Sequence, residues 1–454
     1  MLPLPHAAAR WNRRRATPRM PYAPTLESLR THEVPAWYHD AKLGIFIHWS
    51  VSSVPAFAPR DAGIDAIFAG ETEQDESPYT EWYWNSLKLE GSAVQRYHRE
   101  TYGDLRYEAF AETFREGLRQ WDPDAWAHDF ERAGARYVVL VAKHHDGFCL
   151  WPSDVPHPDP RYAGWNSGRD IVGELARAVR ARGLRFGVYY SGGLDWTFDD
   201  RPVRGLVDVL AGMPGGAYPA YAAAQVRELI ERVRPDVLWN DISWPQPEAE
   251  LWKLLADYYE AVPEGVINDR WLARGWWIPW LRLGPVNRLA EALVKRALKK
   301  SGGMLAPPAP PMYDYRTPEY ARFDDIQQEK WECVRGMDKS FGYNRMSLPE
   351  DFVSRQELLH SFVDIVSKNG NLLLNVGPRG EDAQIPAPQR ERLQWLGEFM
   401  AENGAAIVGT RPWTRAEGVG DDGVALRFTE KGGVVYRIPL RERPVAQIET
   451  AASP

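Results

Sequence analysis

The sequence predicts an α/β protein, a (β/α)8-like barrel followed by a small C-terminal β domain, on three observations. Short apolar runs alternate with helical patterns, unusual polar or aromatic residues stand where each run ends, and no glycine-rich phosphate loop follows a run. Strands alternating with helices imply a parallel sheet. A barrel gathers its chemistry at the C-terminal ends of all its strands. A doubly wound open sheet would gather it near one switch point, with a phosphate-binding turn.

The strand-like runs come in order. Gly44–Ile47 leads to His48-Trp49, and Arg136–Ala142 leads to Lys143-His144-His145-Asp146. Arg185–Val188 leads to Tyr189-Tyr190-Ser191, Asp236–Leu238 to Trp239-Asn240-Asp241, Gly265–Ile267 to Asn268-Asp269-Arg270, and Leu372–Leu374 to Asn375-Val376-Gly377. Between them, Asp170–Arg182 sets Ile171, Val172, Leu175, Ala178 and Val179 on one helical face before Gly183 stops it. Tyr221–Val233 and Glu248–Ala261 repeat that pattern.

Beyond residue 403 the pattern changes, and Val424–Phe428 and Gly433–Ile438 read as two strands of a small β appendage. The domain reading is therefore a basic, disordered arm over 1–24, a catalytic barrel over 25–402 with an insertion at 272–311, and a short β domain over 403–454. An appendage of roughly 50 residues is marginal alone and is expected to pack on the barrel. The insertion holds Trp276, Trp277 and Trp280, then a basic amphipathic helix with Leu289, Leu293, Ala297 and Leu298 opposite Arg288, Lys295, Arg296, Lys299 and Lys300. A loop this long inside a compact domain usually serves function or is disordered, so membrane-surface contact and an oligomer contact both stay open for it.

A length of 454 residues suits one large barrel plus an appendage. A net charge of −7 disfavours nucleic acid as a partner. Two cysteines make no disulfide framework. No apolar stretch is long enough to span a bilayer. No apolar h-region follows Arg10 and Arg13–Arg15, so a cytoplasmic location is expected.

Two carboxylates on different strands are the minimum for glycoside hydrolysis. Asp241 ends a strand between Trp239 and Trp244, with no neighbouring lysine or arginine in sequence to make it a structural ion pair. Glu319 and Glu332 both have aromatic neighbours, and local sequence does not choose between them as the second carboxylate. His48, His144, His145 and Asp241 also compose a metal-site candidate, which would make the chain a metal-dependent barrel hydrolase. A catalytically silent sugar-binding protein is the other alternative.

Several segments together resemble the α-L-fucosidases of glycoside hydrolase family 29. They are Ala41–Trp49, Glu81-Trp82-Tyr83, Val141–Phe148 with Leu150–Ser153, Gly187–Ser191, Pro235–Asp241, Asn268–Trp271 and Ser340–Asn344, in order across roughly Ala36 to Trp413. The resemblance implies a retaining exo-α-L-fucosidase needing no metal and no organic cofactor, acting on fucosylated oligosaccharides or glycosides. It implies Asp241 as nucleophile and Glu319 as acid/base, with Glu332 in reserve. His48, Glu81, Trp82, His144, His145, Tyr189, Trp239 and Arg270 would bind the sugar, and Phe341 would pack on its methyl group. The insertion lies between Arg270 and Glu319, so it is expected to lid the pocket or shape the aglycone subsite.

Overall fold

The computed structural model describes residues 21–60, 77–300 and 309–448, with side chains to 297 in the second stretch. Residues 1–20 of the arm expected over 1–24, together with Gly302-Gly303 and Pro307-Pro308 of the insertion, lie outside these residues, while Tyr22 is buried and its N donates to Glu260 Oε1 at 2.6 Å.

Seven strands form one parallel sheet. They are β1 (Leu43–Ile47), β2 (Tyr137–Lys143), β3 (Arg185–Ser191), β4 (Val237–Asp241), β5 (Val266–Ile267), β6 (Trp331–Arg335) and β7 (Gly370–Val376), in the order β5-β4-β3-β2-β1-β7-β6. Apart from Arg185 and Arg335 at strand ends, every residue in them is buried. Burial on both faces is why they read as continuous apolar runs rather than alternating ones. One face fills the interior with Phe46, Tyr137, Val139, Tyr189, Trp239 and Leu373. The other packs under the helices, among them Ile171–Ala181, Tyr218–Val233, Glu248–Ala261 and Arg355–Ser367. Asp170 caps the first of these by accepting from Gly173 N at 3.0 Å.

The two sheet edges, β5 and β6, are joined by an irregular eighth stave, residues 314–320. Asp314 N donates to Ile267 O on one side, while Arg316 N donates to Lys330 O and Tyr320 N to Val334 O on the other, each at 3.0 Å. Asp314 anchors the stave, accepting from Ile267 N at 2.7 Å and Tyr259 Oη at 2.9 Å. Neither this stave nor β6 shows as an apolar run in the sequence. Proline, arginine and glutamate interrupt the first, and the inward-facing Glu332 interrupts the second.

The C-terminal unit is an antiparallel sheet of four strands, β8 (Arg411–Val419), β9 (Ala425–Lys431), β10 (Val434–Pro439) and β11 (Gln447–Ile448), ordered β11-β10-β9-β8. The hairpin β9–β10 is the pair legible in the sequence. Strand β8 is mostly half-exposed and shows no clean alternation, so it gives no periodic signal. The sheet is tied to the barrel helix Arg355–Ser367 through Arg427 Nε and Asp364 Oδ1 at 2.5 Å, and through Lys368 Nζ and Glu417 Oε1 at 2.6 Å.

Candidate active site

Each strand end contributes one or two side chains, and local backbone irregularities aim them. In β2 the pairing register with β3 shifts between Val141 and Lys143. Such a bulge sets two residues against one and re-aims the side chains after it. His144 and His145 thereby turn toward the same space although they are sequence neighbours, with ring centroids 4.0 Å apart. Lys143 and Asp146 turn away. Lys143 Nζ is buried against Asp195 Oδ2 at 2.5 Å, and Asp146 accepts from Tyr107 Oη at 2.8 Å. Of the four-residue cluster, only the imidazoles face the site.

Asp241 closes β4. Its Oδ1 accepts from Arg270 Nη1 at 2.8 Å and from Ile242 N at 2.9 Å, and its Oδ2 accepts from Tyr189 Oη at 2.8 Å. His145 Nε2 stands 3.9 Å from that same Oδ2. Directly after Asp241, Ile242 and Ser243 have φ of 57° and 71°. A β-branched residue in the left-handed region is strained, and such strain clusters at functional sites. Gly193 makes the turn possible: a Cβ there would lie 1.7 Å from Ile242 O.

Glu319 lies on the eighth stave, and the residue after it, Tyr320, has φ of 51°. Its Oε1 accepts from Arg270 Nη2 at 2.7 Å and its Oε2 from Tyr79 Oη at 3.3 Å. Arg270 is itself held in place. Its Nε donates to Thr317 Oγ1 at 3.2 Å, Thr317 Oγ1 donates to Asp269 Oδ1 at 2.6 Å, and the guanidinium carbon sits 4.7 Å from the centre of the Trp239 ring. The two neighbouring carboxylates hold the Arg270 guanidinium above its ordinary pKa, against the cost of its burial.

The remaining contacts complete a ring. Tyr79 packs on Phe341 (centroids 5.4 Å), Phe341 on His48 (5.1 Å), His48 on His144 (5.8 Å), and His145 returns to Asp241. Trp239 and Tyr189, stacked at 5.3 Å, lie beside it. Trp82 sets its ring edge-on to His145 at 5.1 Å. Glu81 joins through the 340–342 turn, its Oε2 accepting from Gly342 N at 2.9 Å, and burial pushes its carboxyl up to about 7. Of the twelve site candidates singled out in the sequence, all but Glu332 therefore fall at or directly behind one pocket.

The imidazoles are set as hydrogen-bond acceptors toward that pocket. Asn375 commits its amide N–H to Phe341 O, so its Oδ1 must accept, and His48 Nδ1 donates to it at 2.6 Å. Ser191 Oγ donates to Leu194 O at 2.6 Å, so it accepts from His145 Nδ1, also at 2.6 Å. The lone pairs on both Nε2 atoms are left free. Burial lowers His48 to about 4 and His145 to about 3, and lowers His144 as well. His144 Nδ1 is buried with no partner, its ring stacked on Tyr189.

Glu332 lies elsewhere. It is fully buried in the barrel interior, accepting from Tyr38 Oη at 2.8 Å, from Tyr137 Oη, and from Trp239 Nε1 at 3.3 Å. Sequence reasoning missed Tyr79, Thr317, Ser191 and Asn375. Asn375 and Ser191 carried a signal, each among the polar residues that close an apolar run. Among the described residues, no three His, Cys, Asp or Glu side chains converge with metal-ligand geometry.

A family model described as alpha-L-fucosidase matches residues 10–279 and 285–405. The chain belongs to the alpha-L-fucosidase family. It is 32% identical to human tissue alpha-L-fucosidase, over 96% of this chain and 82% of that protein. It is also 32% identical to the alpha-L-fucosidase of Dictyostelium discoideum, over 86% and 75%. A crystal structure of Thermotoga maritima alpha-fucosidase superposes with a TM-score of 0.76 at 43% identity, covering 92% of this chain and 86% of that one. Membership makes this chain a glycoside hydrolase of the alpha-L-fucosidase type on a barrel with a small antiparallel C-terminal sheet.

Proposed function

We propose that this alpha-L-fucosidase is a retaining exo-enzyme that removes terminal α-L-fucosyl units by double displacement. Asp241 is the nucleophile and Glu319 the acid/base. The observation that carries the reading is the single Arg270 guanidinium bonded to both carboxylates. That shared bond sets both carboxylates at one site, as a pair acting on the same glycosidic bond requires; a retaining pair works at roughly 5 to 5.5 Å, an inverting pair at roughly 6.5 to 9.5 Å.

In the first step a bond forms between an Asp241 oxygen and C1 while the bond from C1 to the leaving oxygen breaks and takes a proton from Glu319. In the second, Glu319 accepts a proton from water as the water oxygen attacks C1, and Asp241 departs as carboxylate. Glu319 gives up its proton in the first step and takes one back in the second, with Arg270 and Tyr79 positioning its two oxygens. The contacts of Asp241 with Arg270, Tyr189 and Ile242 N hold it pointed at the pocket. The neutral imidazoles of His48, His144 and His145 accept from sugar hydroxyls, and Phe341 offers an apolar face to the methyl group. The similar Thermotoga maritima enzyme has been crystallised with a mechanism-based inhibitor and with fucose.

The test is a 2-deoxy-2-fluoro fucosyl probe followed by peptide mass mapping, with D241G and E319A assayed alongside and a chelator control. We expect label on Asp241, loss of turnover in both variants, azide rescue of E319A, and activity unaffected by chelator. Label elsewhere, or chelator-sensitive turnover, overturns the reading.

A further inference from the structure

The helix Gly284–Lys300 leaves much of its apolar surface uncovered. A surface helix ordinarily turns its apolar stripe inward. Here the covered face is mixed: Ala290, Val294 and Ala297 are half-buried, Asn287 Nδ2 donates to Asp208 Oδ1 at 2.8 Å, and Glu291 Oε2, one turn on, accepts from Val207 N at 3.0 Å. The preceding turn is tied down through Arg282 Nη2, which donates to Asp199 Oδ2 at 3.1 Å and Met213 O at 2.7 Å. Val286, Leu289 and Leu293, at helical spacing on one face, point to solvent, with Leu289 64% and Leu293 58% exposed. Trp276 and Trp280, just before the helix, are 83% and 58% exposed. Contiguous exposed apolar surface of this kind marks an interaction site.

Charge decides what covers it. Arg288, Lys295 and Arg296 are exposed beside the apolar strip, and Glu291, the one acid between 276 and 297, is turned inward. A second copy meeting this face across a two-fold axis would set the same cations against each other. An anionic headgroup layer fits instead, with tryptophan and leucine at the acyl boundary and the cations outside it. Among the described residues no helix is long and apolar enough to cross a membrane, so the contact is interfacial. The segment follows the C-terminal end of β5 and packs on the connection that follows β3. It therefore sits on the same rim as Asp241.

We propose that the helix Gly284–Lys300, with Trp276 and Trp280, docks the site-bearing rim of the barrel on a lipid surface with anionic headgroups. The inference does not depend on the catalytic roles assigned above. The test is cosedimentation of the full chain with phosphatidylcholine vesicles with and without phosphatidylglycerol, at low and high salt. Two variants go alongside, L289S/L293S and R288E/R296E, with turnover of a soluble aryl fucoside as the folding control. We expect binding to anionic vesicles only, released by salt, and weakened about tenfold or more in each variant while soluble turnover is unchanged. Three results overturn the proposal: no binding by the native chain to anionic vesicles at low salt, binding by either variant equal to that of the native chain, or self-association that L289S/L293S abolishes.

Discussion

Asp241 and Glu319 share one guanidinium: Arg270 Nη1 donates to the first at 2.8 Å and Nη2 to the second at 2.7 Å. The two carboxylates come from β4 and the eighth stave, and the arginine from the loop after β5, so the bridge also locks three staves at the site. Lysine is a point charge on a flexible stem and does not reproduce a planar fork. We expect R270M to lower kcat/KM by about a hundredfold or more, and R270K to lose nearly as much. Near-native kinetics for R270K would show that charge alone matters here.

Glu332 is expected to be dispensable for chemistry. Its oxygens are committed to Tyr38, Tyr137 and Trp239 in the barrel interior. E332Q should keep kcat within about tenfold, and azide should restore turnover to E319A but not to E332A. Rescue of E332A would reverse the assignment.

The same residue makes a pH signature. Burial pushes the Glu332 carboxyl up to about 7, above its value of about 4.5 in the unfolded chain. The folded state then binds more protons than the unfolded one between those values, so this group's stabilisation is complete below 4.5 and is lost as pH rises through 7. In urea unfolding, E332Q should remove a decline of about 3 kcal/mol between those limits. An identical pH slope in both proteins would refute the shift.

His48 and Asn375 form a tautomer lock, since Asn375 accepts from Nδ1 while it donates to Phe341 O. In ¹⁵N spectra of the native enzyme His48 should show a protonated Nδ1 and a bare Nε2. N375L should scramble that pattern and raise KM for an aryl fucoside, with a smaller fall in kcat. Unchanged nitrogen shifts in N375L would end this account.

Lys143 and Asp195 are a fully buried pair 2.5 Å apart, placed away from the pocket. Removing one partner leaves an uncompensated charge, so K143M should cost about 3 to 5 kcal/mol of stability. K143M/D195N should recover much of it. Equal destabilisation in the single and double variants would mean that packing, not charge, is responsible.

Most of the barrel was legible because its strands are buried on both faces. Runs such as Val138–Val141 or Leu372–Leu374 then have no polar interruption and stop abruptly at a polar residue. The eighth stave and β6 were not legible, because they carry charged side chains inward or interrupt their ladder with proline. Glu332 drew attention through its aromatic neighbours in sequence, and those neighbours say nothing about depth. Its distance from the pocket follows from Tyr38 and Tyr137, which are 294 and 195 residues away along the chain.

The sequence alone carried the class of fold, the family resemblance and most of the residues that meet at the site, many of them local to strand ends, but not Tyr79 or Thr317, which bond Glu319 and Arg270. Tertiary structure decided their relations. The β2 bulge turns His144 and His145 one way, Asn375 and Ser191 set the tautomers of His48 and His145, and Arg270 finds both carboxylates. The face that the helix Gly284–Lys300 leaves uncovered was equally invisible in sequence, because only the neighbouring chain decides which side of a helix is buried.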